Sequence, residues 1–185
     1  RARRDFDNAR HYQSAHDFAR LVAGWSARQP EPDRLYICTG GGPGIMEAAN
    51  RGASEAHGEN VGLTISIPVE EFDNPYVTRE LEFHFHYFFM RKFWFAYLAK
   101  AMVVFPGGFG TMDEAFEVLT LMQTGKARIL PVVMIDKPNG TYWHTWNSFL
   151  AEYLLKLGLI SGEDFNLFKV TDSVDEAIVE IQQFY

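Results

Sequence analysis

The apolar positions of the chain form two alternating patterns, one with helical spacing and one made of short continuous runs. Apolar residues recur every three or four positions between Asn8 and Gly24, which predicts an amphipathic helix. Continuous runs predict strands at 35–38, 61–67, 102–105, 129–135 and 168–171, with 81–87 also extended. Helical spacing returns at 45–56, 90–100, 115–122, 146–157 and 174–184.

Continuous apolar strands that alternate with amphipathic helices are typical of a parallel sheet covered by helices on both faces. We therefore predict a doubly wound α/β fold. No linker, repeat or charge block divides the chain, so residues 1–185 are expected to form a single domain. Folds of this class usually open with a strand, whereas this chain opens in a helix. A first strand upstream of Arg1 is therefore expected to be absent from the sequence.

Two details of the pattern make further predictions about packing. The strand and helix between Leu81 and Lys100 are so apolar that both should be largely buried. Before the last helix, Ser173 and Glu176 have the spacing of a capping box. The buried stripe of that helix is predicted to consist of Val174, Ala177, Ile178, Ile181 and Phe184.

Composition narrows the class of partner. The 185 residues are 47% hydrophobic and 22% charged, as in one domain with a sizeable core. The net charge of −7 argues against binding of nucleic acid polymers or of an anionic membrane, and so favours a small ligand. A single cysteine, no apolar run of the ~20 residues that span a bilayer, and no signal peptide at Arg1 indicate a cytoplasmic protein.

Two glycine-rich turns each join a strand to a helix. Thr39–Gly44 and Pro106–Thr111 stand where helix N–H groups and the helix dipole favour an anion. Neither is a Walker A loop or a complete dinucleotide fingerprint. Thr111 offers a hydroxyl as a helix N-cap or as a donor to phosphate. Two such turns at strand carboxyl ends predict a nucleotide crevice, in which the first turn would bind through Gly41, Gly42 and Gly44.

The sequence motifs around these two turns resemble those of a known protein family. Gly40-Gly41-Gly42-Pro43-Gly44-Ile45-Met46, Arg91-Lys92 and Pro106-Gly107-Gly108-Phe109-Gly110-Thr111-Met112-Asp113-Glu114 resemble the LOG ("Lonely Guy") family, whose members have also carried the label "possible lysine decarboxylase". The similarity extends over nearly the whole chain, including Pro68-Val69-Glu70-Glu71 and Gln123-Thr124-Gly125-Lys126. Phe89-Met90 departs from the Met-His-Gln/Glu run of the plant-type members, which affects the expected base preference more than the reaction.

The resemblance implies a function. LOG proteins are Rossmann-like homodimers that hydrolyse the N-glycosidic bond of cytokinin riboside 5′-monophosphates, giving free base and ribose 5-phosphate, with the site near the subunit interface. By this resemblance Arg91 and Glu114 are catalytic, the substrate is AMP or an N6-modified adenine nucleotide, and no metal or cofactor takes part. The remaining substrate contacts would be Glu70, Lys92, Gly107, Gly108, Phe109, Gly110, Thr111, Met112, Asp113 and Thr120.

The chemistry of these side chains is compatible with the implied roles, but each side chain also has an alternative role. Breaking a ribosyl C–N bond builds positive charge on the ribose, which a carboxylate such as Glu114 would stabilise. Glu114 would alternatively interact with the dipole from the first helical turn. Arg91 would hydrogen-bond the phosphate or the departing base, or pair with Glu80 or Glu82. Glu117 is expected either to lean into the same site or to face solvent.

Other candidate residues have simpler explanations. His84 and His86 share one strand face, but no third ligand is spaced to complete a metal site, so packing is expected. Cys38 is predicted to be a buried structural thiol. Lys92 is also compatible with a solvated lysine at a helix end. Six phenylalanines around Arg91 are expected to pack the sheet, bury a dimer interface and wall a pocket for a flat base: Phe83, Phe85, Phe88, Phe89, Phe93 and Phe95.

Two other functions compete with hydrolysis. A carrier that binds a nucleotide or cofactor without catalysis would need only the phosphate loops, so the presence of both Arg91 and Glu114 argues against it. A lysine decarboxylase would need a lysine linked to pyridoxal phosphate, and none of the six lysines has a setting that favours a Schiff base.

Overall fold

The computed structural model describes residues 2–65 and 73–185, and the side chains of residues 8–65 and 73–185. The described chain contains the helices α1 (Ala2–Ser26), α2 (Ile45–Glu55), α3 (Phe88–Leu98), α4 (Phe109–Gln123), α5 (Tyr142–Phe149) and α6 (Val174–Phe184). Its strands are β1 (Ile37–Thr39), β2 (Asn60–Ile65), β3 (Glu82–Phe85), β4 (Met102–Val104), β5 (Val132–Ile135) and β6 (Lys169–Thr171). Every strand pairing among these residues is parallel.

The chain divides into two compact units, Arg1–Leu98 and Ala99–Tyr185. The first contains a three-stranded sheet in the order β1-β2-β3, and the second a three-stranded sheet in the order β4-β5-β6. Parallel strands interleaved with helices confirm the predicted α/β class. The prediction of one domain stays a prediction.

Small residues bring helices α1 and α2 of the first unit into close contact. Ala15, Ala19, Ala48 and Ala53 have no exposed surface, and a Cβ on Gly52 would collide with the carbonyl of His16. Side chains without bulk let helix backbones approach closely, which fixes α2 against α1. Because the first glycine turn leads directly into α2, this packing determines where the turn lies.

The core of the second unit surrounds its central strand. All residues of β5 are buried, and Trp143 and Trp146 of α5 pack in the same apolar cluster. The indole Nε1 of Trp143 donates a hydrogen bond to the carbonyl of Ile135 over 3.1 Å, which satisfies its polar atom inside the core. A continuously apolar strand buried on both faces is what the run 129–135 predicted.

Several element boundaries differ from the predicted ones. Helix α1 starts six residues before Asn8, and β5 starts after Pro131, which has no N–H to donate. The helix predicted at 146–157 begins at Tyr142 and continues as a π-helical segment, Leu150–Leu155. A side-chain contact accompanies this early start, because the carboxylate of Asp136, six residues earlier, accepts the Tyr142 N–H over 2.9 Å. Residues 66 and 67, predicted in a strand, lie outside the described residues.

The last helix confirms only part of its prediction. Ser173 Oγ accepts the Glu176 N–H, but the Glu176 carboxylate accepts from the hydroxyl of Thr171 instead of completing the box. Ala177 and Ile181 are buried, whereas Phe184 is 48% exposed, so the stripe ends one turn early.

The prediction that 81–100 is largely buried is wrong for the described chain. Helix α3 has no buried residue. Phe89, Phe93 and Tyr97, which recur every fourth position along one face, are 67%, 51% and 69% exposed. A helix that is apolar on more than one face can bury only the side that meets its own sheet, so the face formed by Phe89, Phe93 and Tyr97 stays exposed.

Candidate active site

The first glycine turn leaves the N-terminus of α2 open. Gly41 and Gly44 have φ angles of +69° and +75°, a left-handed conformation that glycine adopts without strain. Gly44 is the N-cap of α2, and no side chain among the described residues caps this helix start. The Gly41 N–H already donates to Thr39 Oγ1 over 3.0 Å. The uncapped N–H groups at the start of α2 are compatible with an anion, and the anion site predicted here stays a prediction.

Arg91 lies at this first turn. It is the fourth residue of α3, and its Nη1 is 3.3 Å from the position that a Cβ on Gly40 would occupy. Its guanidinium lies 5.4 Å from the ring centroid of Phe88 and 5.7 Å from that of Phe95, and its Nε is shielded from solvent. The two aromatic rings pack against this permanent positive charge, which lies beside Gly40 of the first turn. The adjacent Lys92 is half-buried, so it is not the fully solvated lysine of the simpler alternative.

The second glycine turn is held by a residue that sequence reasoning missed. The hydroxyl of Tyr142 donates to the carbonyl of Gly107 over 2.6 Å. Gly108, not Thr111, is the N-cap of α4, so the N-cap alternative for Thr111 is wrong. The Thr111 hydroxyl instead lies against Gly107, where a Cβ would collide with it. Only the fold brings Tyr142 to this turn, because nothing in the spacing of 35 residues indicates the contact.

Glu114 lies on the second turn of α4, not on the first. The helix begins at Phe109, and its first turn contains no acidic residue. This position removes most of the expected interaction with the helix dipole, which falls off within the first turn. Glu114 is half-buried, and Oε2 of Glu117, three residues further along, is shielded from solvent. The solvent-facing alternative for Glu117 is therefore wrong.

The remaining predicted contacts differ in exposure. In the second turn and α4, Phe109 is 97% exposed, Gly107, Gly108, Gly110, Asp113 and Thr120 are also exposed, and Met112 packs partly against the core. Gly42 and Gly44 are accessible in the first turn, whereas Gly41 is buried. Glu70 lies outside the described residues. The first turn with Arg91 belongs to the first unit, and the second turn with Glu114 belongs to the second.

The histidines and the cysteine differ from their predicted environments. His84 and His86 are exposed, and His84 Nδ1 lies 2.7 Å from Thr64 Oγ1. The described residues contain no group of three or more His, Cys, Asp or Glu side chains able to hold a metal ion. Cys38 is exposed, so the prediction of a buried structural thiol is wrong. Its surroundings nevertheless raise the pKa of the thiol to about 12, because they desolvate the thiolate.

A separate cavity of about 310 Å³ lies at the carboxyl ends of β5 and β6. Its lining includes Asp136, Asp172 and Glu176 together with His144. Three carboxylates would repel a phosphate, so this cavity does not suit a nucleotide.

In the part of the chain that the structure describes, no helix is long and apolar enough to cross a bilayer.

The fold and the two glycine turns define a Rossmann-like α/β protein. Two solved structures of the molybdenum cofactor carrier protein of Chlamydomonas reinhardtii share this fold, with TM-scores of 0.63 and 0.61, each at 21% identity over 94% of this chain and 86% of theirs. Residues 46–181 match the family model described as possible lysine decarboxylase, and the chain therefore belongs to this family, the LOG family. This match confirms the family that the glycine-rich motifs indicated.

A curated relative is similar over a shorter stretch. It is the pyrimidine/purine nucleotide 5′-monophosphate nucleosidase of Escherichia coli K12, 30% identical over 136 residues, or 65% of this chain. The matched stretch makes up 28% of that relative's own length.

Proposed function

We propose that this protein hydrolyses the N-glycosidic bond of a nucleoside 5′-monophosphate to free base and ribose 5-phosphate. The observation that carries the proposal is the position of Arg91 beside Gly40 of the first glycine turn, which leads into the uncapped N-terminus of α2. A permanently charged guanidinium and a set of free helix N–H groups together favour a doubly charged phosphate. The nucleosidase name of the curated relative supports the same reaction.

In the proposed reaction the C1′–N bond breaks and the oxygen of a water molecule bonds to C1′. One water proton leaves with the base and the other remains on the new 1′-hydroxyl, so atoms and charge balance. The transition state resembles an oxocarbenium ion. Glu114 would stabilise this positive charge, since its half-buried side chain is less screened than a fully exposed carboxylate. Arg91 would bind the phosphate or donate to the departing base.

We propose an adenine nucleotide, AMP or an N6-modified form of the cytokinin type, as the substrate. Phe88 and Phe95 beside Arg91 offer flat apolar surfaces that suit a purine ring. We also propose a cytoplasmic location, which rests on the single cysteine of the sequence.

A panel of purine and pyrimidine 5′-monophosphates, with detection of free base and of ribose 5-phosphate, tests the reaction. We expect both products in equal amounts, with AMP or isopentenyladenosine monophosphate turned over fastest. Intact substrate across the whole panel, with a folded protein that still binds nucleotide by calorimetry, would favour a carrier. A protein that absorbs as bound pyridoxal phosphate does and releases CO₂ from lysine would favour the decarboxylase.

We propose further that the protein forms a homodimer, or a higher homo-oligomer, through the exposed face of α3. Phe89, Phe93 and Tyr97 form this face, and the rings of Phe93 and Tyr97 stack with centroids 5.3 Å apart. At their exposed fractions of 67%, 51% and 69%, these three aromatic side chains offer roughly 280–470 Å² for burial. This is roughly a third to three fifths of the ~800 Å² that each partner contributes to a stable interface.

Replacing Phe93 and Tyr97 together by Glu is expected to convert the dimer to a monomer, because four carboxylates would meet at a symmetric interface. Light scattering coupled to size exclusion measures the mass. Phe149 and Tyr153 are the matched control, since they form a second exposed aromatic pair four residues apart, at 5.4 Å. A dimer that survives the α3 substitutions but dissociates with Phe149→Glu and Tyr153→Glu would place the interface elsewhere.

A further inference from the structure

A chain of buried polar side chains runs through the first unit behind the first glycine turn. It consists of Thr39 at the end of β1, Asn50 on α2, Asn60 at the start of β2, and Asn74 after the undescribed residues 66–72. Their exposed fractions are 9%, 0%, 1% and 3%. Polar groups buried to this degree destabilise a fold unless they are hydrogen-bonded, so their placement needs an explanation.

Asn50 is the centre of this chain. Its side-chain oxygen accepts from Thr39 Oγ1 over 2.6 Å and from Asn74 Nδ2 over 3.1 Å. Its side-chain nitrogen donates to Asn60 Oδ1 over 2.7 Å. One amide therefore makes three hydrogen bonds to three separate segments of the chain, an arrangement that fixes its orientation.

The outer bonds of the chain end on backbone atoms of loops. Thr39 Oγ1 accepts the N–H of Gly41, the buried left-handed residue of the first turn. At the other end, Asn74 Oδ1 accepts the N–H of Tyr76, and Asn60 Nδ2 donates to the Tyr76 carbonyl. Loop backbone lacks the regular partners of a sheet, so these side chains determine its conformation.

We infer that Asn50, acting through Thr39, is a positioning residue for the first glycine turn and so for the phosphate of the substrate. Because the Thr39 hydroxyl donates to Asn50, its lone pairs point to the Gly41 N–H and hold that residue at its φ of +69°. The following residues of the turn, Gly42 and Gly44, then lead to the uncapped start of α2, and Arg91 lies at Gly40 of the same turn. This inference rests on the proposed function, since it assumes that the first turn binds a nucleotide phosphate.

The comparison of Thr39→Val with Thr39→Ser tests the inference. Valine keeps the branched shape of threonine and removes the hydroxyl, whereas serine keeps the hydroxyl and removes the methyl group. We expect Thr39→Val to raise KM for the best nucleotide of the panel about tenfold with kcat changed by less than about threefold, because ground-state phosphate binding is weakened. Thr39→Ser should restore KM to within about threefold of the wild-type value.

Two measurements that need no turnover accompany the kinetics. The Kd for AMP, measured by calorimetry, should rank the wild-type protein and the Thr39 variants in the same order as KM does. The Gly41 amide should exchange its hydrogen slowly in the wild-type protein and in Thr39→Ser, and fast in Thr39→Val. Asn50→Ala should raise KM at least as much as Thr39→Val does. If Asn50→Ala does not fold, the comparison of Thr39→Val with Thr39→Ser is sufficient to test the inference.

The possible outcomes separate this inference from the proposed function. If the wild-type protein turns over nucleotide and Thr39→Val has the KM and Kd of wild type with only a lower melting temperature, the polar chain is structural and the inference is wrong. If the wild-type protein binds AMP without turnover, the hydrolase proposal fails, and the Kd values of the variants still decide whether Asn50 and Thr39 position the turn. If it neither binds nor hydrolyses nucleotides, both proposals are overturned.

Discussion

Glu114→Gln is expected to lower kcat by about three orders of magnitude while the Kd for AMP changes by less than about threefold, because the lost charge acts mainly in the transition state. Glutamine has nearly the same size as glutamate, so the half-buried site on α4 keeps its packing. What the substitution removes is the negative charge that would face the developing positive charge at C1′. The measurement is single-turnover release of free base at saturating nucleotide.

Glu163→Gln is the matched control for this variant. Glu163 is an exposed residue of the second unit, in the short 3-10 helix Gly162–Leu167, and the change is chemically identical. It is expected to retain the wild-type kcat. A Glu114→Gln variant that keeps more than about a tenth of the wild-type kcat would show that this carboxylate does not stabilise the transition state. Glu117→Gln would then be the next variant to measure, since its Oε2 is also shielded from solvent.

Much of the fold could be predicted because local pattern and tertiary environment agree. The run 129–135 is continuously apolar, and its part Val132–Ile135 forms a strand that lies buried in the centre of its sheet. Both glycine turns lie between a strand and a helix, as their spacing predicted, and both helices start without a side-chain cap. The order of strands within a sheet could not be predicted in the same way, because it depends on long-range packing that no local pattern specifies.

The errors have different physical causes. The second turn depends on Tyr142, which is distant in sequence, and the start of α5 depends on the carboxylate of Asp136, six residues before Tyr142; neither contact leaves a recognisable pattern in the sequence. The burial of α3 was overestimated because apolarity indicates that a surface needs a partner, and not whether the same chain supplies it. The glutamate at 114 was placed one turn too early because Phe109, a residue of moderate helix propensity, begins the helix.

The sequence suggested which residues belong to the candidate site, but not where the fold places them. Arg91 was assigned from a family motif, and the structure adds its position at Gly40 and its two aromatic neighbours. Asn50 could not be found from the sequence, since a single asparagine in a helix ordinarily faces solvent. Only its burial, together with three hydrogen bonds to other segments, indicates a role.

Arg91→Lys is expected to lower kcat/KM about a hundredfold, and Arg91→Met about a thousandfold, since lysine keeps the charge but loses the planar fork of donors. The guanidinium lies against the rings of Phe88 and Phe95, and the unbranched methionine side chain preserves this packing while it removes the charge. The values of kcat and KM, measured separately, then distinguish the two roles that the sequence left open. A rise in KM with kcat retained indicates that Arg91 binds the phosphate, because such binding is equal in the ground and transition states. A fall in kcat with KM retained indicates a hydrogen bond to the departing base.

Arg79→Lys and Arg79→Met are the matched controls for Arg91, because Arg79 is an exposed arginine of the same unit. Both should retain the wild-type kcat/KM. Inorganic phosphate provides a second test, because it should inhibit the wild-type protein competitively and lose about tenfold in affinity with Arg91→Met if the guanidinium is its partner. Unchanged kinetics in both Arg91 variants would mean that the guanidinium does not act on the substrate. The anion would then be bound by the N–H groups of the first glycine turn without it.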